Sequence, residues 1–196
     1  MGEAAADLLS RYLQFADDVC EMNRALSSVK PWVSKAYAAD PSGESALYLM
    51  NDLALFLLEV MAFDGFLTAC LHALGRGREE KSGSIVDRFK RLTGTGPDAD
   101  GRLECLVSHL REIEMVRDAW VHGQGSASVL KSSKWPRHVR DRFGVDERDG
   151  RLWVHLSHRA KDGRVVWSHL MNTLKDAAVL VWASCGPIGT ASRGRL

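Results

Sequence analysis

The string Glu114-Met115-Val116-Arg117-Asp118-Ala119-Trp120-Val121-His122-Gly123 places a guanidinium, a carboxylate and an imidazole close together in the chain. A guanidinium binds anions through a rigid fork of N–H donors, and an imidazole exchanges a proton near neutral pH. If the string is helical, Asp118 and His122 stand at i and i+4, on one face and within hydrogen-bonding reach of each other. Arg117 and His122 are i and i+5, which puts them about 140° apart around an ideal helix. They converge on one ligand only if the last turn loosens at Gly123 or if a second subunit completes the site.

Helices must carry these groups, and the apolar spacing predicts them over residues 4–26, 46–74, 84–93, 101–122 and 164–184. The first buries Leu8, Leu9, Tyr12, Leu13, Phe15, Val19 and Met22, and Lys30-Pro31 is expected to break or restart it. Asp40-Pro41-Ser42-Gly43 reads as a loop, with Ser45 as the cap of the second helix and Gly75-Arg76-Gly77 as its stop. In that helix Met50, Leu53, Leu57, Val60, Leu67, Leu71 and Leu74 keep the alternating spacing of a bundle seam, and Asp64 fills the one gap. The seam of the helix over 101–122 runs Leu103, Leu106, Leu110, Ile113, then Arg117, then Trp120. Charges in a seam need a partner or a ligand. Either Asp64 and Arg117 pair with each other and fix register, or Arg117 opens onto a groove and binds an anion.

After Gly123 the character changes. Asp149-Gly150 signals a hairpin of strands over about 143–148 and 151–156, and Asp162-Gly163 marks a second turn. The last helix presents Trp167, Leu170, Met171, Leu174, Ala178, Val181 and Trp182 for packing. The fold class is therefore all-α, a helical bundle with a small β-hairpin before the C-terminal helix. One domain is expected over 1–185, with 186–196 as a disordered tail.

The string around Arg117 resembles the signature of the HEPN superfamily, whose nucleases carry an R-x(4–6)-H motif, most often with Asn, Asp or His directly after the Arg. Arg117, Asp118 and His122 match it with a four-residue spacer. The wider plan is similar too: a long second helix, the motif at the end of a later long helix, and a final helix closing the bundle, over about 46–184. The resemblance implies a metal-independent endoribonuclease that acts as a homodimer, with motif residues of both subunits lining one cleft at the two-fold axis. It implies His122 as the acid/base, Arg117 as the phosphate clamp and Asp118 as the group that orients His122. The products would be a 2′,3′-cyclic phosphate and a free 5′-hydroxyl, in a toxin or antiviral defence effector, with an antitoxin or regulatory protein as a further partner. In the toxin branch silenced by tyrosine nucleotidylation a Tyr stands two residues after the His; here that residue is Gln124, so that control is not expected. A non-catalytic HEPN-like dimer that binds nucleotide or RNA, and a plain helical interaction module, are the alternatives.

Residues 131–142 carry five Lys or Arg against one Asp. Lys131, Lys134, Arg137, Arg140 and Arg142, with Trp135 and His138 interleaved, read either as a solvated loop or as a track for single-stranded RNA with Trp135 stacking on a base. Arg88, Lys90 and Arg91 repeat the signal more weakly. The 196 residues hold 26 Lys plus Arg against 25 Asp plus Glu, a net charge of +1, which excludes a chain that coats nucleic acid by bulk charge. Cys20, Cys70, Cys105 and Cys185 match neither a metal knuckle nor a disulfide framework; a reducing, cytoplasmic setting is expected, with Cys70 and Cys105 as small buried hydrophobes. Asp52, Glu59 and Asp64 interrupt the most apolar stretch, so no membrane span is expected. GxSxG, P-loop, GxGxxG and HExxH motifs are absent, and neither cofactor nor metal is expected. His155 with His158, and His109 with Glu112, read as surface decoration.

Overall fold

The computed structural model describes residues 2–36, 41–76, 83–94, 101–122, 139, 142–143, 146–148, 151–156, 159, 163 and 165–185. The chain is predominantly helical, with the character of a helical bundle. Its helices are α1 (Gly2–Ala36), α2 (Pro41–Ala73), α3 (Ile85–Thr93), α4 (Arg102–Val121) and α5 (Val166–Cys185). Between α4 and α5, strands β1 (Asp146–Arg148) and β2 (Arg151–Trp153) pair antiparallel in the register Asp146 to Trp153. They are shorter than the strands expected, and Asp149 and Gly150 lie outside the described residues, as do Asp162, His158 and residues 186–196.

Two prolines behave differently from the expectation. α1 runs on through Pro31 to Ala36 and does not break at Lys30-Pro31. Proline lacks the N–H that would bond four residues back, at a cost of about 3 kcal/mol in a helix interior. α2 begins at Pro41, so Pro41-Ser42-Gly43 is helix and not loop. Proline is at home in the first turn, where its missing N–H would have had no helical partner anyway. At the other end the expected stop holds: Gly75 sits at φ +73°, its N–H donates to the His72 carbonyl and that of Arg76 to the Leu71 carbonyl. This is a Schellman closure, which needs a residue that tolerates left-handed backbone.

The chain forms two compact units. The first comprises residues 1–15, 60–114 and 171–196. Tyr12 of α1 stacks on Phe66 of α2 with ring centroids 5.2 Å apart, and Val60, Phe63, Leu67 and Leu71 are buried on the same helix. α3 packs Ile85, Val86, Phe89 and Leu92 inward. Its start is fixed by a capping box in which the Ser84 hydroxyl accepts from the Asp87 N–H and the Asp87 carboxylate accepts from the Ser84 N–H, both at 3.1 Å. A second carboxylate, Glu114 on α4, accepts the Ile85 N–H at 2.7 Å, where negative charge also suits the helix dipole.

The second unit comprises residues 16–59 and 115–170. The buried Asp52 carboxylate on α2 accepts the Leu156 N–H at 2.9 Å, and the Leu156 carbonyl accepts the Trp167 N–H of α5 at 3.0 Å. Phe143 meets Phe56 edge-on at 6.3 Å between centroids and lies 6.4 Å from the His169 ring. Phe143 and Leu156 thus tie their described segments to α2 and α5, and Val139 and Val154 are buried as well.

Asn51–Ala73 is the one stretch among the described residues long and apolar enough to cross a membrane, with mean hydropathy 1.8 and half of that window buried inside the protein. Its acids serve the interior: Asp52 and Glu59 are buried and Asp64 is ion-paired. Four smaller expectations are corrected by exposure. Met22 and Trp182 face solvent because α1 and α5 have narrower packing faces than the apolar pattern suggested. Cys105 lies on the exposed side of α4, with its sulfur 3.9 Å from His109 Nε2. Arg88 is buried and not part of an exposed basic patch.

Hydrogen bonds from Ser84 hold the Asp87 carboxyl below its ordinary value of 3.8. A lowered carboxyl contributes stability that is fully present above the ordinary value and fades as pH falls through the lowered one. Asp87→Asn should therefore melt lower than the parent chain at neutral pH. The gap should close as the melts are repeated below pH 3.8.

Candidate active site

α4 carries all three motif residues on or just beyond its last turns. Leu106, Leu110, Ile113 and Val116 are buried along it, which anchors the helix and sets the rotation of its C-terminal end. The next seam position is Arg117, whose side chain is 15% exposed. Its guanidinium forks onto one oxygen of the neighbouring carboxylate: Arg117 Nε and Nη2 donate to Asp118 Oδ1 at 2.9 and 2.6 Å. Short charge-assisted bonds of this kind hold a guanidinium in one orientation.

His122 comes next, at the helix end, and is exposed. Its main-chain N–H donates to the Asp118 carbonyl at 2.9 Å, so helical bonding persists to His122 and the last turn does not loosen before it. A regular helix keeps Arg117 and His122 about 140° apart. Asp118 and His122 are linked through the main chain, and among the described residues the Asp118 carboxylate bonds to Arg117 and not to the imidazole. The carboxylate expected to orient the histidine instead orients the arginine.

Among the described residues, each seam charge has a partner in its own compact unit. Asp64 takes Arg88 of α3: Asp64 Oδ1 accepts from Arg88 Nε at 2.8 Å and lies 2.6 Å from Nη2, while Arg88 Nη1 donates to the Gly83 carbonyl at 2.9 Å. These bonds form a clamp that ties α2 to α3. Sequence spacing hid this because Arg88 looked like one of three surface cations on an amphipathic helix.

Of the basic run, Lys131, Lys134, Trp135, Arg137, His138 and Arg140 lie outside the described residues. Arg142 is half-buried, between the fully buried Val139 and Phe143. Asp52 and Glu114, which anchor the segment before α5 and the start of α3, were missed as structural acids. Their signal was a carboxylate inside an apolar helical pattern.

The cysteines are free thiols. Burial pushes the Cys70 thiol up to about 12, with Cys185 nearby adding to it, and burial raises Cys185 as well. Both stay protonated at neutral pH, which makes them poor nucleophiles. Among the described residues no cluster of His, Cys, Asp or Glu is arranged to hold a metal ion.

Comparison with protein-family models, with curated proteins and with solved structures finds no match to this chain.

The two ion pairs should separate cleanly in stability. Asp64→Ala leaves Arg88, 11% exposed, without its carboxylate and should cost about 3 kcal/mol. Asp118→Ala removes a carboxylate that is 44% exposed and should cost no more than about 1 kcal/mol. Urea denaturation of the two variants beside the parent chain measures both.

Proposed function

We propose that this chain is a metal-independent endoribonuclease of HEPN type, an HEPN-like bundle with a small β-hairpin before its last helix, working as a homodimer on RNA. The observation that carries the reading is the arrangement at the end of α4: a guanidinium fixed by Asp118 and, less than two turns on, an exposed imidazole on another face of the same helix. One copy offers the Arg and the His in different directions, and a two-fold pair of copies can turn one member of each set toward a shared phosphodiester.

The chemistry follows from the groups. The ribose 2′-oxygen attacks the adjacent phosphorus, forming the P–O2′ bond as the P–O5′ bond breaks. The His122 imidazole of one copy takes the 2′-hydroxyl proton, and the imidazolium so formed gives a proton to the departing 5′-oxygen. Arg117 holds the phosphate oxygens and stabilises the charge that grows on them in the transition state. Asp118 positions Arg117. The products are a 2′,3′-cyclic phosphate and a free 5′-hydroxyl, with no water consumed. The basic run ending at Arg142 guides the strand toward the cleft, with Trp135 as a stacking platform. Such an activity fits a cytoplasmic toxin or antiviral defence effector held in check by a partner protein.

Labelled single-stranded RNA incubated with the purified chain in excess EDTA tests this. Cleavage is expected to survive the chelator, to leave 2′,3′-cyclic phosphate ends, and to fall by roughly 10²-fold or more in His122→Ala and in Arg117→Ala. RNA bound but uncut by the parent chain would replace the reading with a non-catalytic binding dimer. Neither binding nor cleavage would leave a helical interaction module.

A further inference from the structure

α4 carries a second pair of chemically active side chains, well before the motif at its end. Cys105 and His109 stand four residues apart on the part of α4 that belongs to the first unit. A helical side chain leans toward the N-terminus of its helix, so the ring of His109 lies back over the turn that holds Cys105. The Cys105 sulfur is 3.9 Å from His109 Nε2, a long contact of the kind a reacting group and its base often keep until a reactant arrives. Cys105 is exposed, and His109 is half-buried with Leu106 and Leu110 buried beside it on the helix. The thiol faces solvent while the imidazole is held close to the helix.

The other three cysteines are less suited to reaction. Cys70 and Cys185 are buried, and burial keeps their thiols protonated. Cys20 is half-buried on α1, and the residue four positions on is Arg24, which has no site to accept a proton. We infer that Cys105 is a modification site for small-molecule disulfides, with His109 as the base that takes its proton. The inference goes beyond the nuclease reading and borrows nothing from it.

The exchange balances with the disulfide as the sole co-reactant. The Cys105 proton passes to His109 Nε2 as the sulfur attacks one sulfur of R–S–S–R, and the new S–S bond forms as the old one breaks. The departing thiolate then takes the proton from the imidazolium, leaving a mixed disulfide on the chain and a free thiol in solution. The charged side chains closest along the helix are Arg102, Glu104, Arg111 and Glu112, and Arg102 meets Asp176 of α5 at 3.8 Å. These two cations and three carboxylates make a mixed field, and the acceptor for the proton is the imidazole. An ordinary thiol is only a few per cent ionised at neutral pH, so a base that captures its proton can raise the rate by up to about thirty-fold.

Treating the fully reduced, purified chain with oxidised glutathione over a pH series, and following the adduct by intact mass and peptide mapping, tests this. A single adduct is expected, on Cys105, with Cys20→Ser modified at the parent rate and Cys105→Ser left unmodified. His109→Gln and His109→Ala, unchanged in helical content by circular dichroism, should react roughly tenfold more slowly at neutral pH. Free imidazole in the buffer should restore part of the rate to His109→Ala. The parent rate should rise through the range in which an imidazole loses its proton, about pH 6–7, a rise that both His109 variants lack. An adduct that maps to Cys20, a chain that takes none, or His109 variants that match the parent in rate and pH profile overturn the inference. So does a covalent dimer formed in place of the glutathione adduct.

Discussion

An α-helix advances about 100° per residue, and α4 keeps that pitch as far as the hydrogen bond from His122 to Asp118. The geometry of the site is a consequence of this constraint. Buried Leu110, Ile113 and Val116 fix the rotation of α4, and rotation fixes Arg117 in the seam and His122 off it. An unwound last turn would let one chain close an Arg–His pair on itself; with the turn intact, the two side chains leave the helix in different directions. Neighbouring Asp118 stiffens the arrangement, because a guanidinium forked onto its own carboxylate does not swing across to meet the imidazole.

Carboxylates elsewhere act as anchors. Asp64 holds Arg88, Glu114 holds the Ile85 N–H, Asp87 closes the Ser84 cap, and Asp52 holds the Leu156 N–H. Asp64, Glu114 and Asp52 each fasten a short or irregular element to a long helix, where an unmet buried donor costs about 1–3 kcal/mol, while Asp87 closes the start of α3 at the surface. α3 is nine residues long, too short to persist alone, and it is held at its start by Glu114 and along its length by Arg88. The acids that interrupt the apolar run of α2 are the ones that let it serve as a core helix.

Much of this was legible from residue types and spacing. The seam of α2, the Gly75 stop, the Ser84 start and the end of α4 obey local rules of periodicity and capping that a sequence states directly. The features that were not legible depend on neighbours distant in the chain. Asp64 and Arg117 share a seam signature, and only tertiary packing assigns Asp64 to Arg88. Asp118 stands at i+4 spacing to His122 and next to Arg117; spacing favours the first, and electrostatics chose the second. Pro41 sits in a turn-like string, yet a proline is as well placed in the first turn of a helix as in a loop. Met22, Cys105 and Trp182 obey helical spacing, but burial is decided by what arrives to cover them.

In the proposed enzyme the working Arg and His come from different copies, and mixing the two single-residue variants measures this. Arg117→Ala and His122→Ala, each inactive alone, are combined in equal amounts, given time to exchange subunits, and assayed for RNA cleavage. If one intact arginine and one intact histidine meet across a dimer, the mixture recovers a measurable part of the parent rate, rising with protein concentration as mixed dimers form. A mixture as inactive as its components, beside a parent chain that cleaves RNA and exchanges subunits under the same conditions, would contradict it.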